Sequence, residues 1–291
     1  MSARPPLRVA LVASLVSVLP ACAGSQAPPS STQPPRTASP RPTFAAPPAG
    51  PFPTSLVEGL RTEPDVPFTE VVECGELECT VPLDVLAPTQ RETLPTIVLV
   101  PGGPVEFHWR RYLEVLAAEL ARHGAVVFLT TYRSSATGNE EIETLHDVRC
   151  SVRYARSVTG DYGGDAERVV LVGHSIGSVL VMQTAVTRET DTPGCAADGD
   201  AVPDAIVGLS EFDPTLSIEA PSGPPMLLAG GSEDPLSAGG AATAKRLRAA
   251  GFDAEYREFA ETGHEDLVDP EATPGVIDLV FEAVDWTSGT K

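Results

Sequence analysis

The chain has 291 residues, 42% of them hydrophobic, with 40 acidic against 20 basic side chains and a formal net charge of −20. That apolar content is enough for a full core, and so large an excess of carboxylates excludes a surface built to hold nucleic acid or anionic headgroups by charge. The imbalance is uneven: no acidic residue precedes Glu58, whereas Arg4, Arg8, Arg36 and Arg41 all do.

At the N-terminus, Arg4 and Arg8 introduce an apolar run from Val9 to Leu19, followed by Pro20, Ala21 and Cys22. A charged start, a short apolar core and a small residue make residues 1–22 a secretory signal, too short for a spanning helix. Leu19-Pro20-Ala21-Cys22 resembles the lipobox of bacterial lipoproteins, although Pro20 stands where that motif usually has a small or polar residue. The resemblance implies lipidation of Cys22 and anchorage at the outer face of the cytoplasmic membrane or in the cell envelope. Membrane contact would be through this anchor alone, and an unmodified chain would be secreted. Residues 23–55 are dominated by Pro, Ser, Thr and Ala, a composition that cannot bury a core and reads as a linker with a reach of up to about 100 Å. Residues 56–291 then form one domain.

Within that domain, antiparallel strands are expected near 68–73 and 79–86. A strand over 96–100 ends in Pro101-Gly102-Gly103-Pro104, and a helix over 109–122, a strand over 125–130 and a helix over 142–158 follow. Val169 to Val172 is a short unbroken apolar run, as in a parallel strand buried on both faces, and Ser178 to Arg188 continues as a helix. Further strands are expected over 205–210, 225–230 and 254–259, with helices over 235–250 and 276–286. The alternation predicts an α/β fold with a doubly wound, mostly parallel sheet.

Between the strand at Val172 and the helix at Ser178 lies Gly173-His174-Ser175-Ile176-Gly177, a G-x-S-x-G run. Glycines at both ends allow a sharp strand-to-helix turn that leaves the serine hydroxyl exposed. In this setting the chain resembles the α/β-hydrolase family over roughly residues 68 to 287. The resemblance implies a triad in the order Ser, acid, His. Asp234 follows the strand at 225–230, and His264 lies in the loop after the strand at 254–259. Asp213, after the strand at 205–210, is the second choice for the acid. Serine is a poor nucleophile at neutral pH, so Ser175 needs His264 to take its proton, and Asp234 would hold the imidazole in the required tautomer. The backbone N–H groups of Ile176 and Gly103 are the expected oxyanion donors. Pro104, having no N–H, limits that loop to one of them. Phe107, His108, Trp109 and Tyr132 are candidates for lining the substrate pocket, an ordinary helix start being the competing reading for the first three. His174 is taken as the variable elbow position, and His123 and His146 as surface or packing residues.

With Cys22 set aside, Cys74, Cys79, Cys150 and Cys195 form an even set suited to an oxidising compartment. Cys74 to Cys79 reads as a small stapled hairpin, similar to the N-terminal cysteine pair of some exported actinobacterial hydrolases, and Cys150 would then pair with Cys195. A zinc site is disfavoured because no second close pair completes a tetrahedral set. No metal or cofactor is expected. Only residues 211–224 separate the strand at 205–210 from the next, which leaves no room for a large helical cap over the site. The function expected is that of a serine hydrolase cleaving carboxylic esters, on small molecules or on exposed groups of a larger one, through an acyl-enzyme. Two alternatives stand beside it. One is a peptidase or amidase of the same fold, since Cys-Thr-Val-Pro-Leu-Asp followed by Gly-Gly-Pro is similar to exported aminopeptidases. The other is a binding protein that has kept the fold without catalysis.

Overall fold

The computed structural model describes residues 50–89, 93–103, 106–187, 192–210, 212, 216–220 and 222–288. The signal segment, Cys22 and nearly all of the proline-rich linker lie outside these residues, as do Pro104 and Asp213. Among the described residues, ten strands and five α-helices follow one another as β1 (Leu60–Pro67), β2 (Val72–Cys74), β3 (Leu77–Cys79), β4 (Pro82–Pro88), β5 (Leu94–Val100), α1 (Glu114–Arg122), β6 (Val126–Leu129), α2 (Glu141–Val158), β7 (Gly164–His174), α3 (Ile176–Val186), β8 (Ala205–Leu209), β9 (Met226–Gly231), α4 (Gly240–Ala249), β10 (Ala254–Phe259) and α5 (Gly275–Thr287). A 3-10 turn over Phe107–Leu113 leads into α1.

Eight strands form one sheet in the order β1-β4-β6-β5-β7-β8-β9-β10, and β2 and β3 make a separate hairpin. The pairs β1–β4 and β4–β6 are antiparallel; every other pair in the large sheet is parallel. The expected doubly wound, mostly parallel sheet is present.

Two cores flank it, and the two-residue period of the strands divides them. Val98, Val169, Leu171, Ile206 and Leu228 face one way, toward α2, α3 and α4 (Val148, Val181, Leu247). Their neighbours Ile97, Leu99, Val170, Val172, Val207 and Leu227 face the other way, toward α1 and α5 (Leu116, Leu120, Val276, Val280). Because each central strand is covered on both faces, its sequence is continuously apolar rather than alternating.

The opening strands differ from expectation. The antiparallel pair is Leu60–Pro67 with Pro82–Pro88, while the stretch expected as 68–73 contributes only a bridge from Thr69 to Cys195 and the short strand β2. β1 contains Pro64, Pro67 and three charged residues, a composition that only an edge strand tolerates, since its outer side has no ladder to complete. The domain also starts before residue 56. Phe52 is buried with the guanidinium of Arg111 stacked 3.6 Å from its ring centroid, and Arg111 donates to the Gly50 carbonyl at 2.8 Å. Helix α4 is likewise shorter than expected, because Pro235–Gly239 forms a 3-10 turn before it.

Asp84 on β4, fully buried, receives Arg110 Nε at 2.8 Å and Arg111 Nε at 2.7 Å, and Arg110 also reaches Asp65 Oδ1 at 2.5 Å. This cluster fastens the 3-10 turn of Phe107–Leu113 to the sheet edge. Removing the Asp84 carboxylate would leave Arg110 buried without its main counter-charge, a change that costs about 3–5 kcal/mol. Cys74 pairs with Cys79 across the β2–β3 hairpin, and Cys150 on α2 pairs with Cys195 in the segment after α3, as expected. No described helix is long and apolar enough to cross a membrane.

Candidate active site

Four loops meet beyond the carboxyl ends of the parallel strands: those after β5, β7, β9 and β10. The chain order reverses between β5 and β7, where an open α/β sheet leaves a crevice for ligand. Ser175 stands at that reversal, between the last residue of β7 and the first of α3. Its backbone has φ 55° and ψ −129°, a strained conformation for a residue with a side chain. The strain persists because both flanking glycines are closed in. A Cβ on Gly173 would lie 2.2 Å from the Gly177 carbonyl oxygen, and one on Gly177 would lie 2.4 Å from that of Pro101. No other residue type fits either place, which is the physical reason for the spacing of the motif.

Asp234 follows β9 and is nearly buried. Its Oδ2 lies 2.9 Å from His264 Nδ1 and accepts from Ser237 Oγ at 2.8 Å, while its Oδ1 accepts from the Leu236 N–H at 2.9 Å. Burial alone would push this carboxyl up. The bonds from His264, Leu236 and Ser237 outweigh burial and hold it below the usual carboxylate range. An anionic Asp234 can only accept from Nδ1, which places a proton of His264 there and leaves Nε2 as the nitrogen that could accept one.

On the other side of Ser175, Gly102 packs so tightly that a Cβ there would lie 2.5 Å from Ser175 Cβ. Its N–H donates to the Tyr112 hydroxyl at 2.7 Å. Gly103 takes φ 77°, a left-handed conformation that suits glycine, and its carbonyl accepts from the Tyr132 hydroxyl at 2.7 Å. The Gly102 N–H is thus committed to Tyr112.

The candidate pocket residues divide. Tyr132 is only 1% exposed, and its hydroxyl bonds the carbonyls of Pro101 and Gly103, so it props the loop from beneath rather than presenting a surface to substrate. Phe107 packs partly into the core, and His108 Nδ1 sits 3.4 Å from Glu106 Oε2. Trp109 is 57% exposed on the turn that follows the glycine loop.

Three contributors escape a reading of the sequence. Ser237 steadies Asp234, Tyr112 holds Gly102, and His174, taken as the variable residue of the elbow, is buried with both ring nitrogens engaged. Among the described residues no cluster of three His, Cys, Asp or Glu side chains could hold a metal ion.

The family model BD-FAE matches residues 83–205, from β4 to the start of β8. A probable isoprenylcysteine alpha-carbonyl methylesterase of Oryza sativa subsp. japonica is 28% identical over 131 residues, which take in 45% of this chain. The match spans 30% of that relative's length. Among solved structures, esterase B from Lactobacillus rhamnosis superposes with a TM-score of 0.63 at 15% identity, covering 80% of this chain and 88% of that one. A thermophilic esterase from the planctomycete Thermogutta terrifontis gives a TM-score of 0.58 at 18% identity, covering 74% of this chain and 93% of that one. Sheet order, the strained strand-to-helix turn at Ser175 and these superpositions agree that the chain has the α/β-hydrolase fold.

Proposed function

We propose that the protein is a serine hydrolase that cleaves carboxylic esters through an acyl-enzyme. The observation that carries this reading is the 2.9 Å bond between His264 Nδ1 and Asp234 Oδ2, in a loop cluster that also holds Ser175 in its strained elbow. Ser175 Oγ attacks the ester carbonyl as its proton passes to His264 Nε2, and Asp234 stabilises the imidazolium. The oxyanion takes hydrogen bonds from the Ile176 and Gly103 N–H groups. The proton then goes from His264 to the leaving alkoxide. Water attacks the acyl-enzyme with His264 again as base, releasing the acid and restoring Ser175.

Ester substrates are favoured by the three relatives described above, each of which is named as an esterase. Export with a lipid anchor at Cys22 is supported by the charged, apolar and small-residue pattern of residues 1–22, and the two disulfides suit an oxidising compartment.

Assaying the full chain and its Ser175→Ala variant against nitrophenyl esters of graded acyl length tests the proposal. The wild type turns over one or more of them, and the variant loses at least a thousandfold in kcat/KM. Equal rates for the two proteins would overturn it.

A further inference from the structure

The structure assigns Tyr112 and His174 a positioning role: together they form a hydrogen-bonded relay that locks the oxyanion loop to the loop of the general base. This inference rests on the ester-hydrolase reading for its catalytic consequence, but the relay itself is a matter of geometry.

Four groups are linked one to the next by hydrogen bonds. The Gly102 N–H donates to the Tyr112 hydroxyl at 2.7 Å, Tyr112 Oη lies 2.8 Å from His174 Nδ1, and His174 Nε2 lies 3.1 Å from the His264 carbonyl oxygen. A carbonyl oxygen can only accept, so His174 must carry its proton on Nε2. Its Nδ1 is then an acceptor, so the phenol hydrogen must point at it, and the phenol oxygen is left to accept from Gly102. Each hydrogen is used once and every bond runs in the same direction. Burial pushes the His174 imidazole down to about 4, so at neutral pH it has the one donor and one acceptor that the relay requires. The ring is also held against that of His264, with centroids 4.8 Å apart.

Position in the fold explains why this matters. Gly102 belongs to the loop after β5, His174 ends β7 beside the nucleophile, and His264 lies in the loop after β10. These three loops carry the oxyanion donor, the nucleophile and the base, and they come from separate strands. The relay ties the first to the last through the residue adjacent to the nucleophile. Tyr112 and His174 act on the reacting atoms only through the backbone they hold in place. Its loss should therefore lower transition-state stabilisation and leave substrate binding nearly untouched.

The test compares the full chain with Tyr112→Phe, His174→Leu and the double variant, measuring kcat, KM and the His174 side-chain tautomer by nitrogen-resolved NMR. Each single change should lower kcat about 10- to 100-fold with KM moved less than about threefold. The double variant should be no more than about threefold worse than the poorer single one, because the members act as a unit. In the wild type the His174 proton should sit on Nε2, and that preference should weaken in Tyr112→Phe. Unchanged kcat in both single variants, or losses that multiply in the double, would overturn the relay. So would a His174 protonated on Nδ1. A wild type with the Nε2 tautomer and its response to Tyr112→Phe, yet no ester turnover, would sink the ester reading and leave the relay standing.

Discussion

Ser237 Oγ lies 2.8 Å from Asp234 Oδ2, the same oxygen that holds His264 Nδ1 at 2.9 Å. The Ser210 carbonyl, 2.9 Å from the same hydroxyl, competes for its single proton, but a charge-assisted bond to carboxylate is the stronger choice. Replacing Ser237 with alanine removes one of the bonds that keep Asp234 ionised and in place. Steady-state kinetics should show kcat down about tenfold, with the folded state retained.

Gly102→Ala separates packing from chemistry. The added Cβ would lie 2.5 Å from Ser175 Cβ and 3.2 Å from its Oγ, so the nucleophile or the oxyanion loop must move. A displacement of about 1 Å at a reacting centre is worth about 100-fold in rate. Circular dichroism should change little while kcat/KM falls by about that factor.

Acid should destabilise the protein through His174. Its imidazole is lowered by burial from 6.5 to about 4, although the His264 carbonyl and Asp234 act in the opposite sense. Between these values the unfolded chain binds a proton that the folded chain refuses, so stability rises with pH across the window and is lost as pH falls through it. The full effect is about 3 kcal/mol. Denaturant melts from pH 7 to 4 should show wild-type stability falling more steeply than that of His174→Leu, against a common background from Asp234, whose lowered carboxyl is present in both proteins.

The Cys150–Cys195 bond closes a loop with a sequence separation of 45, for which chain entropy predicts about 4 kcal/mol of stabilisation. Cys150→Ala together with Cys195→Ala should lower the thermal midpoint by many degrees. Active-site titration at low temperature should leave the fraction of reactive protein unchanged.

Much of this molecule is legible from neighbours in sequence. The runs at Ile97–Val100 and Val169–Val172 announce buried parallel strands because both faces are covered, and the two glycines around Ser175 announce a turn that no larger residue could make. The expectation for Ser175, Asp234 and His264 rests on their order and their places after strands, and the structure brings Asp234 and His264 within 2.9 Å of each other. The opening strand was hidden by Pro64 and Pro67, which local propensity counts against a strand and an edge position permits. Tyr112 and His174 stand 62 residues apart, and nothing local to either marks the pairing. A histidine inside an elbow motif is informative only once burial and both of its partners are known. Tyr132 shows the converse: its place after β6 pointed to the pocket, while its hydroxyl serves the loop beneath.

The central claim is that Ser175 is an activated nucleophile. Treating the full chain with a fluorophosphonate and measuring intact mass tests this most directly, because the reagent reacts with an activated serine whatever the natural ester. One adduct on the wild type and none on Ser175→Ala is the predicted result. Folded wild-type protein that takes up no adduct, or a variant labelled as readily as the wild type, would contradict it.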